Sequence, residues 1–469
     1  MKKFLTIAAV AAFVFTLAAA TYAVDFGASG LIRARTAVYE NSNGWAAPGT
    51  ANWDSTQSFV ESRFRLQMKL TASEDLYGVV YFEGDSTAWG DVGAGRNQAG
   101  GWGAGHSDRA AVELKQFYID FKIPGISEFA PTRLRAGTQW LAIRSHVFLG
   151  ADGAGLRFFT EAGPIRVYLN WFKPAEMSFA KGDDTDLYAV RAVLALPDFP
   201  VTPGMFVAYW HGNEYPMNVA NTAMEDADFY WIGVNADGKI GPASFKADFI
   251  YVDGKVKPNV ATAANPELDY SAWLFYADAS VPISMFTVGA TFMYATGNDL
   301  SEVGASQDRD GYVIPPGSEA NPVLGVVFWA SAEHDGIDIC GGSNGARTGN
   351  DTVQPRWYGG LWTVKGYASI KPLDWLKVTG FAMYIGDTVD NGNAIGNART
   401  AAGLPEDDDY IGIEVGAIAD IKIYKELVYS VGVGYLFAGD ALDSWNAGTA
   451  RNESPNDPWA IISQLLYKF

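Results

Sequence analysis

The feature that most restricts this chain is a period of two. From Ser58 to Thr71, the residues Val60, Ser62, Phe64, Leu66, Met68 and Leu70 fall on one side, and Glu61, Arg63, Arg65, Gln67 and Lys69 on the other. Successive residues of a strand point to opposite faces of its sheet, whereas a helix would mix the two sets. The pattern returns at 116–123, where Gln116, Tyr118, Asp120 and Lys122 alternate with Phe117, Ile119, Phe121 and Ile123. It returns at 164–173, where Arg166, Tyr168 and Asn170 alternate with Ile165, Val167, Leu169 and Trp171. Reading on, we predict 18 strands, near 25–40, 58–71, 76–88, 110–123, 132–143, 153–162, 164–173, 184–197, 204–212, 226–237, 242–253, 267–281, 283–296, 357–371, 373–386, 409–424, 426–439 and 457–469.

The connections carry a second signal. Short ones, such as 71–75, Gly163-Pro164 and 424–426, take turns with long ones, such as 41–57, 88–109 and 297–356. A soluble sandwich has no reason to gather its long connections at one end. A transmembrane barrel does, with short periplasmic turns and long external loops. Beyond residue 23 no run of 18 apolar residues occurs, so a helical span is not expected. In hydrocarbon every backbone N–H and C=O needs a partner within the protein, which leaves a closed sheet as the way across. The expected fold is therefore all-β: an antiparallel up-and-down barrel of 18 strands, with 16 as the alternative. An even count puts both termini on the periplasmic side.

Export is written at the N-terminus. Met1-Lys2-Lys3 precedes an apolar run from Phe4 to Ala20 and then Thr21-Tyr22-Ala23. A basic start, an apolar stretch and small residues before a cut make a signal peptide, expected to be cleaved after Ala23, or else after Ala20. The domain reading is then 1–23 as leader and 24–469 as one barrel, with 297–356 as a long extracellular loop, in the outer membrane. The chain has 34 Lys and Arg against 53 Asp and Glu, a net charge of −19, which argues against a nucleic-acid partner. The single cysteine, Cys340, excludes an intramolecular disulfide framework.

Aromatic residues gather near the predicted strand ends, among them Tyr39, Trp140, Trp171, Tyr209, Trp210, Tyr230, Trp375, Tyr410 and Trp459. Amphipathic rings favour the headgroup level of a bilayer, so two girdles are expected. The chain ends with Ile461, Leu465, Tyr467 and Phe469 on one face, which looks like the terminal strand of Gram-negative outer-membrane barrels. Four stretches carry a closer resemblance: Ala23-Val24-Asp25-Phe26, Ser62-Arg63-Phe64-Arg65-Leu66, Phe117-Tyr118-Ile119-Asp120-Phe121-Lys122-Ile123-Pro124-Gly125 and Leu134-Arg135-Ala136-Gly137-Thr138-Gln139. With these the chain resembles the homotrimeric porins of sulfate-reducing Gram-negative bacteria. The resemblance implies a homotrimer of barrels, each with its own water-filled pore. General porins have 16 strands, so a count of 18 is nearer the sugar-specific porins.

The polar faces of the strands are expected to line the pore. Arg33 and Arg35 share a face, as do Arg63 and Arg65, and Arg133 and Arg135, while Arg166 and Arg191 follow further on. An arginine facing lipid costs about 2–4 kcal/mol near the midplane, so these should face water. Glu83, Asp85, Glu113 and Asp120 are candidate wall acids. Arginines opposite acids would set a transverse field at a constriction. In general porins an inward loop after strand five supplies the opposing acids. Here that segment, roughly Arg144 to Gly153, is short and offers only Asp152, with His146 nearby. The loop 297–356, with nine acids against Arg309 and Arg347, is the alternative for narrowing the lumen. The acid surplus suggests a mild preference for cations.

Other motifs yield to simpler readings. Gly93-Ala94-Gly95 and Gly101-Trp102-Gly103-Ala104-Gly105 lack the Lys-Ser/Thr of a phosphate loop. Glu333-His334-Asp335, Asp338 and Cys340 lack the spacing of a metal site. Asp183-Asp184-Thr185-Asp186 and Glu406-Asp407-Asp408-Asp409 read as a charged rim, or as a divalent cation bridge to lipopolysaccharide. No catalytic triad, cofactor or metal is expected, and the chain is not read as an enzyme. The expected function is passive diffusion of ions and small hydrophilic solutes through an outer-membrane pore. A sugar-type selective porin and a plugged adhesive or structural barrel are the alternatives. Outer-membrane lipid and lipopolysaccharide are the expected surroundings.

Overall fold

In a computed structural model, residues 24–40, 56–89, 112–175, 184–212, 224–258, 267–298, 308–320, 322, 324–328, 359–389, 398–404, 406, 408–454 and 456–469 are described. The expected leader 1–23, the glycine motifs of 93–105, His106, Asp183, Asp407 and the Glu333–Cys340 cluster lie outside the described residues.

The strands are β1 (Asp25–Glu40), β2 (Thr56–Ser73), β3 (Leu76–Ala88), β4 (Glu113–Lys122), β5 (Thr132–Ile143), β6 (Leu149–Ala162), β7 (Ile165–Ala175), β8 (Thr185–Leu194), β9 (Val201–Gly212), β10 (Met224–Ile240), β11 (Ala243–Pro258), β12 (Leu268–Ile283), β13 (Phe286–Ala295), β14 (Asp308–Arg309), β15 (Leu361–Leu373), β16 (Leu376–Asp387), β17 (Tyr410–Lys422), β18 (Leu427–Ala438), β19 (Ser444–Asn446), β20 (Arg451–Glu453) and β21 (Trp459–Lys468). Eighteen of them, all but β14, β19 and β20, form one antiparallel ring in which each pairs with its neighbours in sequence. The ring closes where β1 pairs with β21, from Leu31↔Lys468 to Glu40↔Trp459. No free edge is left, which is what a sheet immersed in hydrocarbon requires. All 18 predicted segments coincide with barrel strands, and 25–40, 76–88 and 132–143 do so at both ends.

The period of two sorts each strand into a greasy and a polar side. Phe117, Ile119, Leu169, Val190, Val207, Ile232, Val234 and Phe249 are exposed on the outer surface. Arg33, Arg35, Asp120, Gln139, Asn170, Asp248, Glu414 and Gln464 are buried on the inner one. A continuous apolar exterior over a polar interior inverts the order of a water-soluble domain and fits a lipid environment. Across the outer face, aromatic rings meet from strand to strand: Trp171↔Tyr188, Tyr188↔Tyr209, Tyr209↔Tyr230, Tyr251↔Trp273 and Tyr294↔Trp362 are direct register partners. Tyr209 and Tyr230 stack with centroids 4.6 Å apart. These rings lie toward the end bearing the long connections and form one of the two expected girdles.

The densest packing lies inside the barrel, against β9–β12. Phe206, Phe229, Trp231 and Tyr270 from the wall meet Phe148 and Tyr312 from two connections, all nearly without solvent exposure. Phe148 stacks on Phe206 at 4.6 Å and tilts against Trp231 at 5.7 Å. This aromatic wedge fills part of the lumen.

Candidate functional site: an arginine wall and a strap across the lumen

Every described arginine within a ring strand lies in β1–β8: Arg33, Arg35, Arg63, Arg65, Arg133, Arg135, Arg157, Arg166 and Arg191. Alternation turns them inward, and antiparallel register brings them side by side. Arg33 stands opposite Arg63, and Arg135 opposite Arg157. Such crowding of like charge requires shared anions. Glu61 takes Arg33 at 3.1 Å and Arg35 at 2.7 Å. Glu83 takes Arg63 at 3.2 Å, Arg65 at 2.9 Å and Lys115 at 2.6 Å. Asp120 takes Arg133 at 2.6 Å and Arg135 at 2.9 Å. A register shift at Tyr81/Phe82 inserts Lys115 as an extra residue beside Gln116. Both then reach Asp152, Lys115 at 3.1 Å and Gln116 at 2.6 Å.

Rings interleave with these cations. Arg135 lies 4.3 Å over Tyr118, Arg133 lies 5.4 Å over Tyr77, and Arg191 lies 5.9 Å over Tyr168. Two of these wall arginines have no carboxylate partner among the described residues. Arg157 donates to Asn170 Oδ1 and to the Trp140 carbonyl. The Nε of Arg191 is buried without a hydrogen-bond acceptor.

The short connection after β5 also turns inward, but it brings a cation rather than acids. Arg144, in a left-handed conformation (φ 48°), reaches across the lumen to Asp237 on β10 and Asp248 on β11. His146 meets the same Asp248 at 2.8 Å. Burial pushes the His146 imidazole below its ordinary range, and the nearby Arg144 and Lys246 add to this against the pull of Asp248.

The long connection after β13 enters the lumen as well. Its described residues 308–320, 322 and 324–328 make a strap tied at three places. At the first, Asp308 and Arg309 extend β12 in parallel, and Trp231 Nε1 donates to the Val313 carbonyl at 2.8 Å. At the second, Ser318 Oγ donates to the Phe148 carbonyl at 3.0 Å, and the Glu319 N–H to the Gly150 carbonyl at 2.7 Å. At the third, the N–H groups of Val326, Val327 and Phe328 donate to the Glu414 carboxylate on β17, at 2.6, 2.9 and 2.8 Å.

The predicted pore residues fall as follows. Arg33, Arg35, Arg63, Arg65, Arg133, Arg135, Glu83 and Asp120 form the wall clusters above, with Asp152 joined to them through Lys115. Glu113 stands opposite Glu83 in register and is exposed. Arg166 pairs with Glu161 at 3.0 Å near the short turn, away from the clusters, and Arg191 stands apart beside Tyr168. Asp85 belongs to β3, but its side chain lies outside the described residues. Glu61, Lys115, Arg157, Asp237, Asp248 and Glu414 were missed. Glu61 and Arg157 could have been found by extending the alternation on their strands; the others depend on a bulge or on loops crossing the lumen.

Among the described residues one trio could hold a metal: His211, Asp226 and Asp228, with donor atoms within 4.8 Å of one another on the barrel's outer rim. Its carboxylates are engaged by Tyr209 at 2.6 Å and Lys257 at 3.8 Å, so it reads as a solvated ion-pair network.

A closed 18-stranded barrel with a polar, loop-narrowed interior defines the porin architecture. The chain is similar to OpdL of Pseudomonas aeruginosa (TM-score 0.53, 10% identity, covering 95% of this chain and 99% of that one) and to OccK8 (OprE) of the same organism (0.52, 12%, 95% and 98%). It is also similar to a BenF-like porin from Pseudomonas fluorescens (0.50, 11%, 94% and 98%). At such identities the likeness establishes the fold. No protein-family model and no curated protein matches the chain.

Proposed function

We propose that this protein is an outer-membrane channel through which ions and small hydrophilic solutes diffuse down their gradients, with a preference for anions at its waist. The observation that carries this reading is the wetness of the inner wall. Arg63, Arg65, Arg133 and Arg135 point inward yet keep 19–26% of their side-chain surface open to solvent. The aromatic wedge narrows the lumen on the side of β9–β12, and the strap crosses from there to Gly150 on β6 and Glu414 on β17, while these four arginines stay open to solvent. Passage then depends on size and on the field of the wall, with no bond made or broken.

The sign of that field differs from the sign of the chain. The strands β1–β8 carry nine arginines with Lys69, Lys115, Lys122 and Lys173, against Asp25, Glu40, Glu61, Glu83, Asp85, Glu113, Asp120, Asp152, Glu161 and Asp186. Net charge suggested a mild preference for cations; the local wall supports the opposite preference. The rings of Tyr77, Tyr118 and Tyr168 beside these cations favour a second, narrower reading, in which solutes joining an anionic group to a ring or sugar are selected. The homotrimer, the kinship with porins of sulfate-reducing bacteria and the cleaved leader belong to the proposal too, resting on the motifs quoted above.

Purified protein in a planar bilayer tests it. Discrete conductance steps are expected, with a reversal potential in a salt gradient showing anion preference. Zero conductance would point to a plugged adhesive barrel, and cation preference would overturn the role given to the arginine wall. Saturable block by an aromatic carboxylate or an oligosaccharide would favour the narrower reading.

A further inference from the structure

The third tie of the strap differs from the other two. At β12 and at the β5–β6 connection, the strap is held by backbone bridges and neutral hydrogen bonds, among them those of Ser318 Oγ with the Phe148 carbonyl and the Gly150 N–H. At β17 it meets a socket shaped for it. Glu414 is fully buried, and its two carboxylate oxygens accept three consecutive backbone N–H groups, from Val326, Val327 and Phe328. A carboxylate in a nest of amides is a charge-assisted clamp, stronger than neutral hydrogen bonds of the same length.

The surrounding wall is cut back to admit the strap. Gly432 and Gly434 of β18 face the strap residue Val326, Gly432 opposite Ile418 and Gly434 opposite Gly416 in register. A Cβ at Gly434 would come within 2.8 Å of Val326 Cβ and 3.0 Å of both Val327 Cγ2 and Glu414 Oε1. On the strap itself, a Cβ at Gly325 would stand 2.2 Å from Glu414 Oε2. Val326, Val327 and Phe328 are buried in this recess. A strand interior gains nothing in pairing or packing from glycine, so its use here marks close approach by another segment.

We propose that Glu414, with the recess at Gly325 and Gly434, is the latch that keeps the strap across the lumen, and that it is the positioning residue which sets the width of the pore. This rests on the channel reading above. With the latch made, solutes pass between the strap and the arginine wall. With it broken, the described part of the strap keeps its ties on the β12 and β6 side, and the lumen near β17 opens. Glutamine at 414 keeps the shape but turns an NH2 group toward the amide donors and removes the charge, so at least one of the three bonds is lost. Valine at 434 leaves the carboxylate intact and displaces Val326 from its seat.

The test is single-channel recording and a size cut-off measured with uncharged polyethylene glycols, on wild type, Glu414→Gln and Gly434→Val in the full chain. Each preparation is first shown to retain the closed barrel by its heat-modifiable migration on gels. Both variants are expected to give larger or flickering steps and to admit larger glycols, while ion preference keeps its sign because the arginine wall is untouched. Wild-type conductance with no change in step size, noise or cut-off in either folded variant overturns the latch. Absence of conductance in wild type would overturn the channel reading instead. If Gly434→Val fails to close its barrel, Glu414→Gln alone decides, since its side chain is nearly isosteric.

Discussion

Glu61, Glu83 and Asp120 hold seven cations between them: Arg33, Arg35, Arg63, Arg65, Lys115, Arg133 and Arg135. Each anion is shared, so the wall is ordered by ion pairs and still left net positive. Arg157 and Arg191 form no ion pair with these three acids; Arg157 donates to Asn170 and the Trp140 carbonyl instead, and the Nε of Arg191 has no acceptor. At 4 Å in water a unit charge is worth about 1 kcal/mol, roughly a fivefold change in local ion concentration. Replacing both by glutamine should lower the anion-to-cation permeability ratio by at least about fivefold, with little effect on step size. Reversal potentials at low salt, where screening is weakest, measure it. An unchanged ratio would show that the paired arginines set the field and these two do not.

At the scale of elements, the strands were legible and their interior connections were not. Alternation such as Glu61, Arg63, Arg65 against Val60, Phe64, Leu66 survives in any barrel, because it records which side meets lipid. The inward turn at Arg144–Phe148 left no comparable mark, since its partners Asp237, Asp248 and Trp231 lie far along the chain. Glu414 looked like one more polar residue on a strand; its meaning depends on a strap that arrives from the other side of the ring. The 144–148 connection also carries a pH dependence whose sign follows from burial. The docked His146 binds a proton less readily than a free imidazole of pKa 6.5. Its docking is fully retained above that value and weakens as pH falls below it, because the released loop then gains protons that the docked loop does not. The protection factors of Val147 and Phe148 against hydrogen exchange, which are corrected for the slowing of intrinsic exchange in acid, should therefore fall as the medium is acidified below pH 6.5. In His146→Gln that fall should vanish; if it persists, the titrating group lies elsewhere.

At the scale of the whole molecule, closure decides everything else, and it depends on one pairing between the two ends of the chain. β1 and β21 are partners over ten residues, and beyond them Gly30 and Phe469 exchange N–H to carbonyl bonds at 2.8 and 3.1 Å. A Cβ at Gly30 would lie 2.2 Å from the Arg65 carbonyl, so the seam is tight where the last residue docks. Removing 459–469 would leave both β1 and β18 with an unpaired edge. Each unsatisfied backbone group in an apolar setting costs several kcal/mol, so the open sheet has no stable place in detergent or lipid. The truncated chain should fail to give the heat-modifiable band and should aggregate on refolding. Phe469→Ala should still close when refolded into detergent, because the seam keeps its backbone bonds and loses only the ring stacked on Tyr467 at 5.6 Å. A truncated chain that still conducts would mean that β18 can seal directly onto β1, and that the ring closes with one strand fewer than the register now defines.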